Sequence, residues 1–141
     1  MINDAEFEIL RKGRKLKTLE SDYFKHLRDQ YDLKQVEIEV IFYLEKFPNA
    51  ASRQIAEDLQ FKKGHVSAAK EGLLEKGFIV SVKDESDRRS EKLELTDDGQ
   101  HLCNELNSRR QVLHDKLFRN FTEDEFKTLS ALLQKMASNI D

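Results

Sequence analysis

The chain of 141 residues has no tryptophan, one proline (Pro48), one cysteine (Cys103), five glycines and no long apolar run. Each scarcity removes a class of protein. A lone cysteine excludes an intrachain disulfide and any multi-cysteine zinc site, and it suits a reducing, cytoplasmic setting. No stretch approaches the ~20 apolar residues of a membrane span. The start, MINDAEFEIL, lacks the charged beginning and apolar run of a signal peptide. The protein is therefore read as soluble and intracellular, with no membrane partner. Scarce Gly and Pro beside 36% charged residues favour a helix-rich chain.

What is present is enough for one domain. The length suffices to bury a core without disulfides or a structural metal, and nine Phe and three Tyr can anchor it. The formal net charge of −3 argues at first sight against a polyanionic partner, but the charge is uneven. Residues 62–92 carry eight Lys/Arg against six Asp/Glu, whereas residues 93–141 carry six against nine. That is the polarity of a basic reading face on an acidic body.

Apolar positions Phe7, Leu10, Leu16, Leu19, Tyr23, Leu27 and Tyr31 recur at mostly three- and four-residue steps, predicting an amphipathic helix over residues 4–30 despite Gly13. A second helix is expected after Asp32 as N-cap, with Val36, Val40, Tyr43, Leu44 and Phe47 on one face and Pro48 as its stop. Ser52 is placed as the cap of a third helix carrying Ile55, Ala56 and Leu59. The polar stretch from Gln60 to Gly64 leads into a fourth with Val66, Ala69, Leu73 and Leu74, ended by Gly77. The two short helices read as a helix-turn-helix, with Ala56 small at their crossing.

Past Gly77 the period changes. Phe78 to Val82 and the alternating Leu93 and Leu95 read as two strands around a charged loop from Lys83 to Ser90. Thr96 with Asp97 and Asp98 starts a long helix with Leu102, Leu106, Leu113 and Leu117 on its apolar face. Thr122 to Glu125 forms a capping box, flanked by Phe121 and Phe126 as a hydrophobic staple. Leu129, Leu132, Leu133, Met136 and Ile140 are assigned to the buried side of the last helix.

The expected fold is mainly α (α+β): a winged helix-turn-helix with a β-hairpin wing. In this order of elements, Leu74-Glu-Lys-Gly77-Phe-Ile, the Asp87-Arg88-Arg89 loop and Leu95-Thr96-Asp-Asp-Gly99 give a chain that resembles the MarR family of bacterial transcriptional regulators over nearly its whole length. The resemblance implies a homodimer whose first and last two helices interlock, and binding to pseudo-palindromic duplex DNA. On this reading residues 1–141 form one domain, with 1–31 and 100–141 as dimerisation helices around a DNA-binding lobe at 32–99. The chain departs from the family pattern at three places. Ser81 and Val82 stand where an arginine is frequent, Lys34 where the second helix often has Thr, and Glu85 where the wing often has proline.

A helix fits the major groove, and its first turns reach base edges or phosphates. Lys62, Lys63, His65, Ser67, Ala68 and Lys70 are accordingly the candidates on the recognition helix. Lys83, Asp87, Arg88 and Arg89 are the candidates on the wing. Arg89 is placed in the minor groove with its guanidinium held by Asp87, and Arg88 on phosphate or the loop itself. A twofold dimer would set two recognition helices about 34 Å apart, the spacing of successive major grooves on one face of DNA.

A repressor released by a small-molecule effector is the finer expectation, with Tyr23, Tyr31, Phe42 and Tyr43 either lining a cleft or packing in the core. The alternative is a winged protein-interaction module without DNA binding. Cys103 reads as a buried structural thiol, and the basic run from Arg11 to Lys15 as a solvated helix face. His101 and Glu105 stand one helical turn apart, while His26, His65 and His114 are scattered. No cofactor, metal site or enzyme motif is expected.

Overall fold

In the computed structural model, residues 1, 3–83, 85–86 and 91–140 are described. The amphipathic repeat at the start folds as one helix, α1 (Asp4–Tyr31), which runs through Gly13 without a break. Its first turn is closed by a capping box: the Asn3 side chain accepts from the Glu6 N–H, and the Glu6 carboxylate accepts from the Asn3 N–H, both at 2.8 Å. There follow α2 (Gln35–Lys46), α3 (Ser52–Leu59), α4 (Lys63–Glu75), β1 (Ile79–Lys83), β2 (Glu91–Leu95), α5 (Asp97–Leu117) and α6 (Glu123–Ser138). The two strands pair antiparallel with Ile79 opposite Leu95 and Lys83 opposite Glu91. A helical body carrying a helix-turn-helix and a two-stranded wing is the fold the sequence predicts.

Three helix starts differ from expectation. Asp32 does not cap α2; it ends α1 in the left-handed conformation, which aspartate tolerates, and donates its backbone N–H to the Arg28 carbonyl. Lys34 is the N-cap of α2, and the acceptor its turn needs is the carboxylate of Glu37, 2.7 Å from the Lys34 N–H. Ser52 is the first helical residue of α3 rather than its cap, because Ala51 holds the extended cap backbone and the Ser52 hydroxyl is turned towards Glu91. Helix α4 starts at Lys63, so Gly64 lies inside its first turn.

The chain divides into residues 1–110 and 111–141. In the first, Phe24 and Leu27 of α1, Ile38, Ile41 and Leu44 of α2, Ile55 of α3, Val66 and Leu73 of α4, Ile79, Leu93, Leu102 and Leu106 form one buried core. Burial of such a side chain contributes about 1.5–3 kcal/mol. Behind the wing, Thr96 donates its hydroxyl to the Gly77 carbonyl at 2.6 Å and accepts from the Gly99 N–H at 3.0 Å. Gly77 itself has φ +78°, the left-handed region that disfavours a side chain. The Leu-Thr-x-x-Gly pattern is thus a latch joining the end of α4, the hairpin and the start of α5.

In residues 111–141 the expected capping box of α6 is present, with the Glu125 N–H donating to Thr122 Oγ1 at 3.1 Å. The aromatic staple is organised by Phe118, whose ring meets Phe121 at 5.3 Å and Phe126 at 4.8 Å. The apolar side of α6 was expected to be buried, yet no residue of this helix is buried within the single chain. Leu132, Leu133, Met136 and Ile140 are exposed. An amphipathic helix buries its apolar face only where another surface covers it.

Candidate nucleic-acid interface

The candidate site is built on α4. Val66, Ala69 and Leu73 recur at helical steps and are buried, so the helix is fixed to the core by one stripe. The other side of its first two turns is forced outward. Lys62, Lys63, His65, Ser67 and Ala68 are all exposed there. The free N–H groups at the start of the helix add to the positive field of Lys62 and Lys63, since no side chain caps them.

Beside this face a shallow notch of about 160 Å³ separates α3 from α4, lined by Ser52, Arg53, Ala56, Lys63, Val66 and Ser67. Two cations and two hydroxyls surround an apolar floor, a donor set suited to a phosphate oxygen. Arg53 belongs to none of the motifs in the sequence, and it stands four residues before Glu57, the spacing of an ion pair along one helix face. The structure does make that pair, at 3.1 Å.

Lys70 stands apart from the other candidates of α4. Its ammonium donates to Glu91 Oε1 at 2.5 Å and lies 3.7 Å from Glu71, and its side chain is 19% exposed. Glu91 also accepts from Ser81 Oγ at 2.7 Å. The ammonium, and secondarily the serine hydroxyl, hold the Glu91 carboxyl below its usual pKa against the opposing effect of burial. Lys83 is exposed at the end of β1. Asp87, Arg88 and Arg89 lie outside the described residues.

The sequence matches the MarR family over residues 33–90, from the turn before α2 to the wing. BilQ, an HTH-type transcriptional regulator of Clostridium symbiosum, is 31% identical over 96 residues, 68% of this chain and 67% of that one. This chain belongs to the MarR family. A multiple antibiotic resistance protein MarR of Salmonella typhimurium is 40% identical to this MarR-family chain over 65 residues, 45% of each. The solved structure of a MarR transcriptional regulator from Methanosarcina mazei Go1 has the same fold. It superposes with a TM-score of 0.78 at 21% identity, over 94% of this chain and 96% of that one. As a MarR-family member the protein is a DNA-binding transcriptional regulator and not an enzyme.

The remaining candidates of this MarR-family chain are held in structural roles. Cys103 is fully buried and its thiol donates to Glu45 Oε2 at 3.1 Å. Burial first, then the Glu45 carboxylate, pushes its pKa up to about 12, so the nucleophilic thiolate is suppressed. Glu105 accepts the Tyr31 hydroxyl at 2.8 Å, a contact between α5 and the end of α1. Among the described residues no three His, Cys, Asp or Glu side chains gather as a metal site, and no helix is long and apolar enough to cross a membrane. Of the four aromatic residues considered for a cleft, Tyr43 is buried and donates to Asp58. Phe42 lies between Phe24 and the guanidinium of Arg110.

Proposed function

We propose that the protein acts as a homodimer on a pseudo-palindromic duplex site, with the start of α4 in the major groove and the hairpin loop in the minor groove. The exposed polar run from Lys62 to Ala68, backed by the buried stripe of Val66, Ala69 and Leu73, carries this reading. Such a helix presents short side chains for base edges and lysines for phosphates or guanine. The wing contributes Lys83 and, from the sequence, Arg88 on phosphate and Arg89 in the groove with Asp87 orienting its guanidinium.

Dimerisation is supported by apolar surface that the single chain leaves exposed: Phe7, Leu10 and Leu16 on α1, and Leu132, Leu133 and Met136 on α6. Residues 1–31 and 100–141 are assigned to that interface and 32–99 to the DNA-binding lobe. The twofold pair matches two half-sites one helical turn apart. The role assigned to the protein in this reading is a cytoplasmic repressor, whose bound dimer would block transcription where its site overlaps a promoter. A small molecule wedged beside Tyr31 would release it. That ring packs edge-on against Phe78 at 5.9 Å and holds Glu105 of α5, so displacing it alters how α1 supports the hairpin.

Selection of bound sites from random duplex DNA tests the reading. A symmetric consensus is expected, with half-site centres about 10 base pairs apart and affinity that falls steeply with salt. Absence of any bound duplex at low salt would refute it.

A further inference from the structure

We infer that Glu91 is a positioning residue that sets the wing against the recognition helix, and that Lys70 is its anchor in place of a DNA contact. The inference rests on the DNA-binding reading above and deepens it.

The geometry is a convergence of three elements on one carboxylate. Lys70 stands two turns beyond Lys63 on α4, which carries its ammonium away from the exposed start of the helix and to the loop end of the hairpin, where Lys83 pairs with Glu91. There Glu91, the first residue of β2, takes the Lys70 ammonium on Oε1 at 2.5 Å and the Ser81 hydroxyl on Oε2 at 2.7 Å. The Ser52 hydroxyl of α3 approaches Oε1 at 3.5 Å. Ser81 pairs with Leu93, so Glu91 is its diagonal neighbour across the ladder, within reach of a long side chain. Both halves of the helix-turn-helix and both strands of the wing therefore meet at Glu91. Lys83 and Glu91, the described residues at the loop end of the two strands, stand opposite one another at this clasp.

Charge makes the clasp directional. Charge-assisted hydrogen bonds are short and strong, and a carboxylate that accepts from a lysine and a serine stays ionised at neutral pH. A lysine so paired adds little to counterion release, because its charge is already neutralised. The two roles open to Lys70 then make opposite forecasts. If Glu91 merely masked a phosphate-binding lysine, removing the acid would free Lys70, tighten binding and steepen its salt dependence. If Glu91 positions the wing, the same change weakens binding and leaves the salt dependence alone.

The experiment measures fluorescence anisotropy with the duplex recovered by selection, over a salt series, for wild type, Glu91→Gln, Lys70→Met and Lys70→Arg. Hydrogen exchange is read on the same proteins without DNA. Glu91→Gln and Lys70→Met are each expected to weaken binding about tenfold, the equivalent of one charge-assisted hydrogen bond, with an unchanged slope of log affinity against log salt. Lys70→Arg, which keeps the cation, restores most of the affinity. The β1 amides exchange faster in the two loss variants, while those of α2 do not change. Tighter binding by Glu91→Gln, or a slope shallower by about one in Lys70→Met, overturns the inference; so does unchanged β1 exchange. If wild type binds no duplex at low salt, the DNA-binding reading fails, and the exchange data alone decide whether the clasp exists.

Discussion

The ammonium of Lys76, at the C-terminal end of α4, lies 3.0 Å from the carboxylate of Glu37 in the first turn of α2. Glu37 is 2% exposed, and its other oxygen accepts the Lys34 N–H at 2.7 Å. Lys76 also donates to the Asp32 carbonyl. One lysine thus ties the far end of the recognition helix to the turn between α1 and α2. Gly72 makes room for the pair, since a Cβ there would sit 2.5 Å from Glu37 Oε2.

Breaking this pair from either side has unequal consequences. Lys76→Met strands a buried carboxylate and is expected to cost about 3 kcal/mol in urea unfolding. Glu37→Gln leaves a lysine that can turn to solvent and should cost less, about 1–2 kcal/mol. Equal losses, or the reverse order, would contradict the account.

Gly99 and Gly13 provide a contrast between a crowded and an open glycine. A Cβ at Gly99 would lie 1.9 Å from the Phe78 carbonyl oxygen, whereas nothing lies within 4 Å of one at Gly13. Thermal unfolding of Gly99→Ala should show a loss of about 2–4 kcal/mol, because backbone must move. Gly13→Ala, in mid-helix, should gain about 0.5–1 kcal/mol.

Cys103 supplies a pH test. Its thiol ionises at about 12 in the folded protein against an ordinary value of 9.0, so the native state holds its proton longer than the unfolded state. Stability is therefore insensitive to this group below about pH 9 and falls as pH rises from 9.0 towards about 12. Urea unfolding across that range should show the fall in wild type and a smaller one in Cys103→Ala. Thiol labelling at neutral pH should be slow until the protein unfolds.

The apolar face of α6 is tested by charge. Leu133→Asp alters a side chain 54% exposed in the single chain, so circular dichroism should retain the helical signal. Sedimentation should shift from dimer to monomer, and affinity for the selected duplex should fall with it. A variant that stays dimeric would remove α6 from the proposed interface.

Much of this fold is legible in the sequence because it is set locally. The steps from Phe7 to Tyr31 run as one helix, Thr122 and Glu125 close the box at the start of α6, and the change of period after Gly77 marks the hairpin. The exposed run from Lys62 to Ala68 follows from the same periodicity, since a buried stripe at Val66 and Ala69 dictates which side chains face out. The N-caps of α2 and α3 are Lys34 and Ala51 in place of Asp32 and Ser52 for a different reason. Side chains able to cap were present at both, but the backbone took the left-handed turn at one and entered the helix at the other.

By itself, then, the sequence determined the order of elements, the outward face of α4 and the family resemblance, all of which depend on spacings of a few residues. Only the tertiary structure decided that Lys70 turns to Glu91 and Lys76 to Glu37, pairs separated by 21 and 39 residues. It also decided that the apolar side of α6 stays open in the single chain. The periodicity of a helix says which side is apolar, but what covers it, and which opposite charge a lysine meets, depend on how distant segments pack.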